Sequence, residues 1–283
     1  MKKVLFGLMA LLMVLSLTGC KTEESELING YYGPKAPEQE KEFGDIVFKD
    51  GSALPFTPNM TLSKTQKKYA IAVIFYKGTE LNSGTDTTTV RTLGIGLKHS
   101  KDKISWCSTD ADALDVFIDD IRCERPSNDN FIFEKDKNGS DNLDQIENTD
   151  GIDDTQNPDK YPAFYFAKNY SEIEPELKGT SYENGWYLPT YAEYGMIYLA
   201  MCDGTGIYSN NGVVDIDYIS GLCGGSKFSE AGSNYWTSNQ VLPITPLGNK
   251  AAKGVSIVPF SSFYSTNYSK DGSFLKACAI REF

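Results

Sequence analysis

The chain has 283 residues, with 27 Lys+Arg against 38 Asp+Glu and a net charge of −11. Charge of that sign excludes nucleic acid and anionic lipid as partners recruited by electrostatics. A hydrophobic content of 40%, with 17 Tyr and 15 Phe, excludes global disorder, and a single His (His99) leaves the commonest metal ligand and general base nearly missing.

Lys2 and Lys3 open the chain, an apolar run follows from Val4 to Leu17, and composition turns polar at Lys21. A basic start, a short apolar stretch and small residues at its end are the pattern of a secretory leader. The run is shorter than the ~18–20 residues that a membrane span needs. Leu17, Gly19 and Cys20 resemble the lipobox of bacterial lipoproteins. The resemblance implies a signal peptide over residues 1–19 and a diacylglycerol on Cys20. Loss of Lys2 and Lys3 with the leader takes the net charge from −11 to −13. Two or more acyl chains anchor stably where one does not. The expected location is the cell envelope, lipid-anchored at the outer membrane or cell surface, with the membrane as partner through Cys20.

Residues 20–43 are charged, marked by Gly and Pro and poor in aliphatics, and read as a lipidated tether with a reach of about 25 Å. The alternative is an ordered strand through Tyr31 and Tyr32. From Gly44 the texture is globular, and residues 44–283 read as one domain. Asp45–Lys49 reads as a strand turned at Asp50-Gly51. Tyr69–Tyr76 is a continuous apolar run suited to a strand buried on both faces. Val90–Leu97 pairs back after a polar loop, and Ile104–Cys107 follows.

Leu114, Phe117, Ile118 and Ile121 fall at helical spacing and predict a helix from Asp110 to Arg122, with Asp110, Asp112 and Asp115 near its positive end. Ser140 or Asp141 can cap a short helix carrying Leu143 and Ile146, and a third helix is expected in Pro162–Tyr170. The strongest local signal is Gly185-Trp186-Tyr187-Leu188-Pro189-Thr190 followed by Glu193. Thr190 and Glu193 form a capping box for a helix from Tyr191 to about Met201. Toward the end, Tyr235–Ser238, Gly254–Val258 and Lys276–Arg281 read as strands, and Gly221–Gly225 as a tight loop.

The stretch Gly185–Thr190 with Glu193, then Tyr235-Trp236-Thr237-Ser238, then the closing Ile280-Arg281-Glu282-Phe283, resembles the Lcl C-terminal domain family (Legionella collagen-like adhesin). The closest match runs from Trp186 to Phe283, in the manner of spirochaete-type lipoproteins carrying such a domain after a lipobox. The resemblance implies an α+β, C-type lectin-like fold related to the formylglycine-generating enzymes: a twisted antiparallel sheet, flanking helices and long loops that present the binding surface. Trp186 and Trp236 are then core anchors. The Glu-Pro-Asn, Gln-Pro-Asp and Trp-Asn-Asp motifs of calcium-dependent lectins are missing from the sequence. Cys202, Cys223 and Cys278 do not fall in the enzyme's cysteine pattern, so no catalytic residue is carried over.

Other chemistry is thinly supported. Asp136, Asn138, Ser140, Asp144 and Glu147 fall at EF-hand ligand spacing, but Asp141 stands where the loop needs Gly. The alternative is an acidic loop feeding a capped helix. Beyond Cys20, five cysteines leave fifteen ways to form two bridges, or free buried thiols. The better binding candidates are the loop Val241–Asn249 and the Tyr-, Ser- and Asn-rich segment Phe260–Asp271, with Tyr264, Asn267 and Tyr268 as contact residues. The expected function is a surface binding or adhesin-like module for a protein or glycan ligand, without catalysis or cofactor. The alternatives are a structural or periplasmic envelope lipoprotein and an enzyme of the formylglycine-generating type.

Overall fold

The structure is a computed structural model that describes residues 27–126, 131–201, 208–209, 212–213, 215–230, 234–258 and 261–283. In chain order the strands are β1 Ile46–Phe48, β2 Ala53–Leu54, β3 Ala70–Gly78, β4 Arg91–Gly96, β5 Cys123–Glu124, β6 Glu134–Lys135 and β7 Trp186–Tyr187. They continue with β8 Tyr208–Ser209, β9 Gly212–Val213, β10 Asn234–Gln240, β11 Ala251–Val258, β12 Ser262–Ser269 and β13 Ile280–Glu282. The α-helices are α1 Lys64–Tyr69, α2 Asn142–Glu147, α3 Pro162–Lys168, α4 Tyr170–Ile173, α5 Tyr191–Leu199 and α6 Ile216–Leu222.

Six strands form one antiparallel sheet in the order β2-β1-β3-β4-β13-β7. The apolar run of β3 lies in its interior, and its alternation feeds two cores. Val73 and Phe75 join one cluster with Ile46, Ile95, Tyr194 and Ile280. Ala72 and Ile74 join another with Trp106, Trp186 and Trp236. A strand covered on both faces has no polar side to show, which is why its sequence does not alternate. A second antiparallel sheet, β10-β11-β12, packs beside the first, and α5 lies over both. Helices beside antiparallel sheets make this an α+β protein.

Trp186 and Trp236 share one core, and each indole N–H is satisfied by a backbone carbonyl. Trp186 donates to Tyr182 at 2.8 Å, Trp236 to Ile104 at 2.7 Å and Trp106 to Thr237 at 3.1 Å. Pairing the polar end is what lets so large a ring be buried. The capping box is present: Thr190 Oγ1 accepts from the Glu193 N–H at 3.1 Å and Glu193 Oε2 from the Thr190 N–H at 2.8 Å. The glycine loop closes α6 in a Schellman motif. Gly225 donates to Ser220, Gly224 donates to Gly221, and Gly224 takes φ +78°, where a side chain would strain the backbone.

Several expectations are corrected. Residues 28–43, read as tether, pack onto the domain. Lys35 pairs with Ala53, Gly33 is buried, and the Tyr32 ring lies 4.7 Å from that of Tyr69. The helix expected at 110–122 is two short 3-10 turns, Asp112–Asp115 and Asp119–Ile121, with extended backbone at Val116 and Ile118. Its carbonyls are taken elsewhere: Lys270 Nζ donates to Ala113 O at 2.7 Å and Val116 O at 2.8 Å. Ile104 makes only an isolated bridge to Leu275. The Tyr-, Ser- and Asn-rich segment proposed for binding forms strand β12 over Ser262–Ser269, paired along its length with β11. Helices α1, with its own Ser63–Gln66 capping box, and α6 were not expected.

Candidate functional site

The proposed lipidation site, Cys20, lies outside the described residues, as does Cys202. The other four cysteines, Cys107, Cys123, Cys223 and Cys278, are buried free thiols. Burial pushes Cys107, Cys223 and Cys278 up to about 12 and Cys123 higher still. Thiolate is the reactive form, so these four are inert packing groups at neutral pH.

The residues with EF-hand spacing do not converge. The Asp136 carboxylate turns inward, where Oδ2 accepts from Asn142 Nδ2 at 2.8 Å and Asn239 Nδ2 at 2.7 Å. Asn138 instead caps the Ser140 N–H, and Glu147 accepts from Gln156 at the surface. Ser140 is exposed and begins the run into α2, and Asp144 sits in the first turn of that helix. Among the described residues no cluster of three or more His, Cys, Asp or Glu side chains could hold a metal ion. Asn239 and Ser238, from β10, are what draw Asp136 and Asn142 into the interior.

Tyr264, Asn267 and Tyr268 are held by β12, and pleating separates them. Tyr264 and Tyr268 share one face, opposite Ser256 and Ala252, while Asn267 lies on the other, opposite Lys253. Tyr268 packs edge-on against Trp236 with centroids 5.8 Å apart, so it serves the core. Tyr264 is 52% exposed. The other face of β12 carries Phe263, stacked on Tyr191 and Tyr198 of α5.

Asn267 opens onto a cleft of about 140 Å³ that also draws on the 241–249 loop. The two segments singled out by composition therefore meet here, together with Gln240 and Lys253, which the sequence did not mark. Gln240 is fully buried in the wall. Its Oε1 accepts from the Ile118 N–H at 3.0 Å, which fixes the amide's orientation, and its Nε2 finds no acceptor among the described residues. Thr245 Oγ1 is likewise buried with no partner among the described residues. Arg122, at the rim, is committed to Asp119 and Glu124. Lys253 makes no ion pair among the described residues, and its ammonium lies 4.7 Å from the Tyr191 ring centroid. Burial lowers its pKa, against the pull of Cys123 and Glu124. Ile244 stands over the mouth at 85% exposure. The hollow is thus lined by two cations, Arg122 and Lys253, by one carboxylate, Glu124, and by two polar groups that find no partner among the described residues.

No helix among the described residues is long and apolar enough to cross a membrane. No family model and no curated protein matches the chain. A solved structure of a fimbrial protein from Bacteroides ovatus is similar in fold, with a TM-score of 0.54 at 14% identity. The match covers 86% of this chain and 49% of the other, so the chain spans about half the length of that protein.

Proposed function

We propose that the chain is an extracytoplasmic binding lipoprotein, anchored through lipid on Cys20. Its C-type lectin-like domain, related to the Lcl C-terminal family, offers the 241–249 loop and the outer strands to a partner outside the cell. The observation that carries this reading is the leader ending in Leu17-Thr18-Gly19-Cys20 ahead of a folded domain rich in surface loops. Likeness in fold to a protein described as fimbrial supports a place at the cell surface. The four described thiols, all buried, weigh against a thiol enzyme.

Labelling the full chain with a palmitate analogue in a lipoprotein-processing bacterium, followed by protease treatment of intact cells, tests it. The wild type takes the label and is digested from outside, and Cys20→Ala takes none. An unlabelled wild type overturns the anchor. A labelled protein that resists protease on intact cells, yet is cut after lysis, favours an internal envelope role.

A further inference from the structure

The cleft beside Asn267 has the makings of a recognition site. Buried donors without acceptors are uncommon, because each forfeits its hydration without return. Gln240 Nε2 is one such donor. The Thr245 hydroxyl lies in the same wall with no partner among the described residues, and Lys253 brings a positive charge that no ion pair holds among them; Glu124, also in the lining, attracts it from a distance and is itself paired with Arg122. Arg122 does not compete for a ligand, because Asp119 and Glu124 already hold it.

We infer that this cleft binds the carboxylate of an acidic side chain in a peptide partner, paired to Lys253 and hydrogen-bonded by Gln240 and Asn267. The hollow, about 140 Å³, is below the ~300 Å³ at which sites for drug-sized ligands begin. It has room for a carboxylate on a short stem. The rim decides between a peptide and an acidic sugar. Its apolar groups are the aliphatic side chains of Val241, Leu242 and Ile244, and the nearby aromatic face, Tyr191, is already covered by the Lys253 ammonium. A sugar ring gains most from an open aromatic face, whereas an aliphatic neighbour of a Glu or Asp gains from an exposed Ile. The 85% exposure of Ile244, beside a polar hollow, gives such a neighbour its contact.

The inference rests on reading the chain as a binding module. Its test runs in solution and does not depend on where the protein is displayed, so either can fail alone. The full chain is titrated with acetyl-Leu-Glu-Leu-amide, with acetyl-Leu-Gln-Leu-amide and with glucuronate, while backbone and side-chain amide NMR signals are followed. The Glu peptide is expected to shift the signals of Gln240, Thr245, Lys253 and Asn267. The Gln peptide is expected to bind at least about tenfold more weakly, the scale of one desolvated charge pair. Lys253→Met removes the cation and is expected to cause a similar loss. Asn267 is exposed, so Asn267→Asp tests the site without threatening the fold, and it is expected to repel the Glu peptide. Equal binding of the two peptides, no response at these residues, or unaltered binding in both variants overturns the inference. Saturable binding of glucuronate in place of the peptide overturns its peptide assignment.

Discussion

The Tyr187 phenol stands between Arg91 and Glu193. It accepts from Arg91 Nη2 at 2.9 Å and donates to Glu193 Oε1 at 2.9 Å, while the guanidinium and carboxylate come within 3.6 Å of each other. Arg91 is 4% exposed and Glu193 fully buried. Oε2 of the same carboxylate holds the N–H groups of Thr190 and Gly139. One side chain therefore caps α5, fixes β7 and answers a charge from β4. Breaking a buried pair strands its partner, which costs about 3–5 kcal/mol. Glu193→Gln and Arg91→Met are each expected to lower the unfolding free energy by roughly 3 kcal/mol in urea melts. Removing both should cost less than the sum of the two, because the second loss relieves the charge stranded by the first.

Asp136 gives the chain a loss of stability as pH rises from acid to neutral. Burial raises its pKa to about 7, from an ordinary 3.8, with Glu193 and Asp141 adding to the rise. The unfolded chain releases this proton near the ordinary value and the folded chain keeps it, so stability falls as pH climbs from about 4 to about 7. Glu193, Glu174 and Asp215 are raised by burial too and act in the same direction. Comparing Asp136→Asn with the wild type isolates the one group. Chemical melts at pH 4 and pH 8 should show the wild type losing on the order of 3 kcal/mol more than the variant over that range.

His99 acts with the opposite sign. Its Nδ1 lies 2.7 Å from the Tyr235 hydroxyl and its ring packs on Phe228, and burial with the charge of Lys276 pushes its pKa down to about 3. The unfolded chain takes up a proton near pH 6.5 and the folded chain resists until about pH 3, so stability falls as pH drops through that window. The Asp136 and His99 slopes oppose each other between about pH 4 and 6.5. In His99→Gln the acid-side loss should shrink, leaving the part that Glu80, Asp86 and Asp110 contribute through their lowered pKa values. A variant whose profile superimposes on the wild type would refute the assignment.

Local signals were legible and distant ones were not. The capping box at Thr190 and Glu193 works within a single turn, so the residues themselves announce it. The buried run of β3 needed no partner to be seen. The misread stretch at 110–122 carried a genuine helical spacing. Its backbone was decided by Gln240 and Lys270, which reach it across more than a hundred residues. In β12 the mix of Tyr, Ser, Thr and Asn suits a loop equally well, until Phe263 finds α5 and Tyr268 finds Trp236. The cleft was half legible. Composition pointed to Asn267 and the 241–249 loop, but Gln240 and Lys253 become notable only through what they lack.

Gly96 makes room for a tyrosine. A methyl group on its Cα would lie 2.6 Å from Cζ of Tyr170, a fully buried ring. That ring cannot retreat, since its hydroxyl accepts from the Lys98 N–H at 2.6 Å and its face meets Trp186 at 4.5 Å. Gly96→Ala should therefore destabilise by about 2 kcal/mol through overpacking, despite the better strand propensity of Ala. A thermal melt should show a drop of ~5 °C.

Lys270 is buried and makes no ion pair among the described residues, with Asp115 attracting it only from a distance. Its ammonium is held by the carbonyls of Ala113 and Val116 and lies 5.2 Å from the Trp106 ring, and burial lowers its pKa to about 8. The folded chain gives up this proton more readily than the unfolded one, so the linkage favours folding more at high pH than at neutral pH. Lys270→Met keeps the stem's volume and removes the charge, but it leaves the Val116 carbonyl without its donor and the Ala113 carbonyl with only the Val116 N–H. The expected loss is about 1–3 kcal/mol, the cost of one orphaned buried acceptor. Trp106 fluorescence reports the same event locally, because the cation leaves the indole face. The emission of the folded variant should change while its far-ultraviolet circular dichroism stays that of the wild type. Unchanged stability together with unchanged emission would mean that the carbonyls find other donors and that Lys270 does not hold the 112–121 segment in place.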